Sequence, residues 1–139
     1  MQYQRGRTEE PVLLGVDVGS TTGDVLLDKV LGDEGINVWS AMFKPCARTF
    51  WHRHERGQLF FIGSGKGMIA TRDGQIQVVR AGDVIFTPPG EEHWHGAAPD
   101  AFVSYIAVSL GKSTFNDEVS DDNYDSAWQS ADNYGTVSR

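Results

Sequence analysis

The chain is poor in cysteine. Its single thiol, Cys46, cannot close an internal disulfide, and with no second one in 139 residues there is no CxxC redox site. Cys46 is expected to be a reduced, structural thiol. Positive charge is also scarce: 12 Lys and Arg stand against 19 Asp and Glu, a formal net charge of −7. Binding a phosphate backbone depends on neutralising it with Lys and Arg, so no nucleic-acid partner is expected. Long apolar runs are missing as well. The opening MQYQRGRTEEP has no apolar core of signal-peptide length, and no later run approaches the ~20 residues that span a bilayer. No membrane partner and a soluble, cytoplasmic protein are therefore expected. Nor is there a phosphate-binding glycine loop. GSGKG at 63–67 lacks the spacing and the strand-to-helix setting of a P-loop, and it reads as a flexible hairpin turn.

What the chain does have is a series of short apolar runs of strand length. They fall at Asp24 to Leu27, Ile36 to Phe43, Thr49 to His54, Leu59 to Ile62, Met68 to Thr71, Ile76 to Val79, Asp83 to Thr87 and Phe102 to Leu110. Turn signals separate them: GDEG, KPC, GSGKG, the Asp73-Gly74 pair, AGD and TPPGEE. Strands at this spacing with hairpin chemistry between them point to an all-β antiparallel barrel. The length suits one domain with a real core. We divide the chain into an N-terminal arm (1–23), the barrel (24–112) and a polar C-terminal tail (113–139). Within the tail, Ser120 is placed to cap a short helix, with Val119 and Tyr124 at hydrophobic-staple positions. That helix should lay its aromatics on the barrel exterior or on a partner subunit, and the residues after Asn133 should fray.

The four histidines of the chain fall into two short stretches, WHRH and EHWH. Successive side chains of a strand point to opposite faces, so His52 and His54 share one face while Trp51 and Arg53 take the other. His93 and His95 form a second pair of the same kind. Any one histidine alone would be read as solvated or as satisfied within a core. Four in two aimed pairs read as a metal site.

At these residues the chain resembles the cupin superfamily. CARTFWHRHERGQLFFIGSG is similar to the first cupin motif, in which HxH is followed by an acidic ligand and then by glycine. GDVIFTPPGEEH is similar to the second motif, and Gly82, Pro88, Gly90 and His93 match it position by position. The resemblance implies a small jelly-roll barrel of the double-stranded β-helix type, with one divalent transition metal held inside by His52, His54, Gln58 and His93. Manganese or iron is the ion it favours, with nickel and zinc as alternatives. Three positions depart from the pattern. Gln58 stands where most cupins have glutamate, Cys46 where the first motif begins with glycine, and Ala97 where the second usually ends in asparagine. Three imidazoles and an amide oxygen form a neutral set of donors, which leaves a bound divalent ion its full charge as a Lewis acid. Cys46 implies a KPCA turn that either avoids positive φ or tolerates strain there.

Among cupins the chain is most similar to a bacterial group of small one-domain members. Some of these are manganese- or iron-dependent hydroxynitrile lyases, and others are likened to carboxymuconolactone decarboxylase. Thr49, His52, His54, Gln58, His93 and His95 stand where that group has them. Tyr105 stands where the lyases place a catalytic histidine, which weighs against cyanohydrin cleavage, and Trp39 stands where they have a small pocket residue. By parity with Val103 and Ala107, Tyr105 faces inward, where its phenol can donate to a bound oxygen, act as acid or base, or sit as a core residue bonded to a backbone carbonyl. Gln58, Phe60 and Ile62 are expected to continue the inward face, with Trp39, Ala41, Phe43 and Phe50 adding to it.

The function expected is a metal-dependent enzyme acting on a small oxygenated organic molecule by lyase, decarboxylase or isomerase chemistry, with Tyr105, His95 and Thr49 as its catalytic residues. The alternatives are an iron-dependent dioxygenase and a non-catalytic binding module. The remaining expected partners are a small-molecule substrate and a second copy of the chain. The apolar segment Pro11 to Val18 is suited to adding to a neighbour's sheet.

Overall fold

The computed structural model describes residues 1–5, 13–14 and 19–133. Among the described residues, alternating apolar and polar residues build twelve strands, every pairing of which is antiparallel. In chain order they are β1 (Leu13–Leu14), β2 (Thr21–Thr22), β3 (Val25–Asp33), β4 (Ile36–Phe43), β5 (Arg48–Thr49), β6 (His52–His54), β7 (Gln58–Thr71), β8 (Ile76–Arg80), β9 (Val84–Thr87), β10 (His93–Ala97), β11 (Val103–Leu110) and β12 (Ser113–Phe115). One helix follows, α1 (Asp121–Asn133). The strands run β1-β3-β4-β11-β7-β10-β5-β2 in a single sheet that folds on itself into a nearly closed barrel, with β8 and β9 paired to β7, and β12 to β6.

One strand joins the two walls of the barrel. The first half of β7 pairs with β11 and β9, and its second half with β10 and β8. GSGKG, expected as a hairpin turn, therefore lies inside a continuous 14-residue strand. The glycines serve a bend there. Gly65 has φ +81, and a Cβ on it would lie 1.9 Å from the Phe102 carbonyl oxygen, so only glycine fits. A register shift at Ser104/Tyr105 on β11 accommodates the same corner.

The expected strand from Thr49 to His54 is broken into β5 and β6, with Phe50 and Trp51 between them. In the arm, β1 pairs with Leu26 and Leu27 of its own chain. The remainder of Pro11 to Val18 and the tail beyond Asn133 lie outside the described residues. Cys46 has φ +71, so the KPCA turn takes the strained alternative. Its side chain is exposed rather than buried, because the turn points it outward.

Two apolar clusters result from the alternation. Inward residues such as Val25, Phe43, Phe60, Ile62, Val103 and Tyr105 fill the barrel. On the outer side, Trp51, Met68, Val78 and Trp94 are covered by Val119, Tyr124, Trp128 and Ala131 of the tail. Ser120 caps α1, its Oγ accepting from the Asn123 N–H at 3.1 Å, while Val119 and Tyr124 are buried together beside it. The Tyr124 hydroxyl donates to the Ala97 carbonyl at 2.7 Å. None of the helices among the described residues is long and apolar enough to cross a membrane.

Arg48 fastens the tail to the barrel. It is 4% exposed, donates to the Val119 carbonyl from Nε and Nη2 at 3.2 and 2.7 Å, and reaches Asp121 at 2.7 Å. Its guanidinium lies 4.7 Å from the centre of the Tyr124 ring. Removing a charged donor from a buried carbonyl costs roughly 1–3 kcal/mol per lost bond. Arg48→Ala is therefore expected to lose about 2–4 kcal/mol in urea unfolding, with helical circular dichroism lost before the β signal.

Candidate functional site

The site is assembled by strand pairing. β6 pairs with β10 so that His93 lies directly opposite His52, which turns two HxH segments distant in sequence into one cluster of four inward imidazoles. The ring centres of His52 lie 5.0 Å from His54, 4.4 Å from His93 and 5.0 Å from His95. His52, His93 and His95 each bring one ring nitrogen within 4.8 Å of the others, a three-histidine cluster that could hold a metal ion. Gln58 enters from the start of β7, its Oε1 3.0 Å from His93 Nε2.

The orientation of each ring is fixed from behind. His52 Nδ1 donates to the Phe50 carbonyl and His93 Nδ1 to the Glu91 carbonyl, both at 2.9 Å. His54 Nδ1 lies 2.7 Å from Ser113 Oγ. Since a carbonyl only accepts, the Nδ1 atoms of His52 and His93 carry protons, which leaves their Nε2 atoms bare, that of His93 facing Gln58 Oε1. His54 Nε2 is buried with no hydrogen-bond partner, a costly arrangement unless something meant to occupy the space completes it. Clustered imidazole nitrogens with an amide oxygen beside them are donor types that suit a divalent transition ion.

The tightest nitrogen cluster contains His95 and leaves out His54, whereas the sequence reading took His54 as a ligand and His95 as catalytic. Both side chains are present at the site, and their other contacts separate them. His95 Nδ1 is taken by a hydrogen bond to the Tyr105 hydroxyl, and the His95 N–H donates to Thr49 Oγ1 at 3.2 Å. Tyr105, His95 and Thr49 are thus linked to one another beside the cluster. Tyr105 is 4% exposed and stacks on Phe43 at 5.4 Å.

The imidazoles open onto a cavity of about 420 Å³. Thr49, His52, His54, Gln58, His95 and Tyr105 all line it, and His93 is fully buried behind them. Trp39, Ala41, Phe43 and Leu27 supply apolar wall, and among the described residues no Lys, Arg, Asp or Glu reaches the lining. Phe60 is core packing, edge-on to His93, His95 and Tyr105. Phe50, expected on the inward face, is not part of the wall. The break between β5 and β6 interrupts the alternation there, and Phe50 contributes its carbonyl instead. The sequence reading missed Ser109, Ser113 and Phe115. Ser109 shares the parity of Tyr105 and Ala107 and was open to discovery. Ser113 and Phe115 lie in a stretch read as polar tail, where nothing local signals that it pairs with β6. Phe115 stacks on His52 at 4.8 Å.

Burial dominates the electrostatics. It holds His52 and His95 well below the usual histidine range, helped by repulsion from neighbouring imidazoles, and lowers His54 and His93 to about 4. Burial also holds the Tyr105 phenol well above its ordinary value. At neutral pH the cluster is therefore uncharged and needs to release no proton to accept a cation. A histidine whose folded pKa is depressed contributes stability above its unfolded value, ~6.5, and loses it as pH falls towards the folded one. The metal-free protein should thus melt at constant temperature above about pH 6.5 and progressively lower between there and pH 4, as read by thermal denaturation in chelator. An unchanged melting temperature across that window would contradict buried neutral imidazoles.

Comparison with known proteins agrees with this geometry. The cupin domain family matches residues 39–109, which hold all seven site residues of the sequence reading. An (R)-mandelonitrile lyase of Granulicella tundricola is 41% identical over 69 residues, an alignment covering 50% of this chain and 53% of that protein. The match thus spans about half the length of the curated relative. A cupin-like protein of Thermotoga maritima superposes with a TM-score of 0.76 at 29% identity, over 91% of this chain and 96% of the other. A predicted oxalate decarboxylase of the same organism shares the fold, with a TM-score of 0.68 at 20% identity over 80% of this chain and 100% of that one. Paired HxH strands inside a nearly closed antiparallel barrel, and a family match over half of the sequence, lead to one assignment: the chain belongs to the cupin domain family.

Proposed function

We propose that this cupin is a metal-dependent enzyme acting on a small oxygenated organic molecule, with lyase, decarboxylase or isomerase chemistry. The observation that carries the reading is a set of uncharged donors converging on an apolar cavity beside a Tyr–His pair. His52, His54, Gln58 and His93 would hold a divalent transition ion, manganese or iron being favoured. Such an ion would supply Lewis acidity, stabilising negative charge that develops on a substrate oxygen. The similarity to a mandelonitrile lyase supports this class of chemistry.

The chain's own residues have separate tasks. Trp39, Phe43 and Leu27 exclude water and bury the apolar part of the substrate. Tyr105 holds a proton at its hydroxyl, where burial keeps the phenol neutral, and His95 Nδ1 is positioned to exchange that proton with it. Thr49 fixes the backbone of His95. Gln58 contributes an oxygen without a charge.

A second copy of the chain is the proposed partner. The outward residues of β4, β11, β9 and the start of β7 (58–62) include Met42, Val38, Ile106, Phe61, Val84 and Phe86, and the other outward positions there are apolar or serine. Phe61, Val84 and Phe86 are 46%, 60% and 51% exposed. A sheet face bordering solvent is normally polar. A chain of net charge −7 can meet its own copy there without opposing like charges. Sedimentation at micromolar concentration should give twice the mass of one chain, reduced to a single chain in Phe61→Asp. A wild-type monomer would rule the pairing out.

The functional reading is tested by metal analysis together with turnover of hydroxynitriles and small hydroxy and keto acids, with and without oxygen. Bound manganese or iron with oxygen-independent turnover is expected. A product formed only with oxygen would move the assignment to a dioxygenase, and metal binding with no turnover would move it to a binding module. Gln58→Glu should keep or tighten metal binding yet lose turnover, because a carboxylate cancels part of the cation's charge. Gln58→Ala should lose metal affinity. Tyr105→Phe should keep its metal and lose roughly 10²–10⁴-fold in kcat, the usual scale for a positioned proton donor. Full turnover in Gln58→Glu would make the neutral donor set incidental.

A further inference from the structure

The four proposed donors are held in two different ways. His52 and His93 rest on the backbone carbonyls of Phe50 and Glu91, which no side-chain substitution removes. His54 and Gln58 rest on hydroxyls. Ser113 Oγ lies 2.7 Å from His54 Nδ1, and the Gln58 amide donates from Nε2 to Ser109 Oγ at 3.1 Å. Each serine is the direct cross-strand partner of the side chain it holds. Ser113 faces His54 in the β12–β6 pairing, and Ser109 faces Gln58 in the β11–β7 pairing.

From this arrangement we infer that Ser109 and Ser113 are positioning residues that fix which atoms of Gln58 and His54 are offered to the cation. The inference rests on the metal-site reading above. The chemistry is specific to each partner. A glutamine amide has an oxygen end and a nitrogen end of nearly equal shape, and only the oxygen can coordinate. By accepting a hydrogen bond from Nε2, Ser109 keeps the oxygen end facing the histidines, where Oε1 is found 3.0 Å from His93 Nε2. An imidazole has two nitrogens, and the one facing a cation must be bare. By engaging Nδ1, Ser113 turns His54 Nε2 toward the interior, where it is the buried nitrogen without a partner. With alanine at 109 the amide is free to turn over, and with alanine at 113 the ring is free to swing. Either change spends part of the population in a form that cannot bind. Outer hydrogen bonds of this kind are worth roughly 10–100-fold in metal affinity.

The test uses cobalt(II) as the probe. The full-length metal-free protein is titrated with cobalt, and the visible absorption of the bound ion gives both affinity and coordination. Ser109→Ala and Ser113→Ala should each weaken binding about 10–100-fold and alter the absorption envelope, while melting of the metal-free proteins stays close to wild type. Ser113→Thr, which keeps a hydroxyl, should restore the wild-type affinity. A merely structural role would lower the metal-free melting temperature and leave affinity and spectrum alone, and that result overturns the inference. So would wild-type affinity in both alanine variants. If the wild type itself took up no cobalt, or took it up equally with His93→Ala, the metal-site reading would fall and this inference with it, an outcome distinct from wild-type binding unaffected by the serines.

Discussion

Everything at the site depends on the antiparallel contact between β6 and β10. A strand alternates its faces strictly, so two histidines two apart are aimed together whatever surrounds them. The pairing that sets His93 against His52 then brings the second aimed pair onto the first. A slip of one residue would turn Trp94 inward and both histidines of that pair outward. The aromatic residues that alternate with the histidines prevent this slip. Trp51 and Trp94 are buried under the C-terminal tail, so burying them on one side and presenting imidazoles on the other are the same event.

The tail is thus part of how the interior is built. Arg48 ties Val119 and Asp121 to the strand next to β10, and the helix beyond covers the outer tryptophans. Before the helix, β12 lies along the free edge of β6 and places Ser113 and Phe115 against His54 and His52. One short connection therefore closes the edge of a histidine-bearing strand and supplies contacts behind two of its rings. The electrostatic result is a dry cluster of neutral bases: burial lowers every imidazole, and mutual repulsion adds to it at His52, His54 and His95.

Much of this was legible in the chain because it follows from local alternation. The shared faces of the histidine pairs, the inward Tyr105 and the cap at Ser120 need only neighbours in sequence. What was not legible depends on partners far away. Glycines at 63–67 have the composition of a hairpin turn, yet β11 and β10 hold the two sides of that segment as one strand. Composition cannot separate a bent strand from a turn when the deciding hydrogen bonds come from elsewhere. Ser113 and Phe115 were hidden for the same reason. Phe50 failed differently: parity holds only while a strand continues, and the chain breaks between β5 and β6.

The placement of the four tryptophans has an optical consequence. Trp51, Trp94 and Trp128 belong to the cluster beneath the tail, while Trp39 alone lines the cavity. Indole emission shifts with local polarity and is quenched by nearby paramagnetic ions. The intrinsic fluorescence of this protein therefore divides into two channels: one indole samples what enters the barrel, and three register whether the tail stays docked.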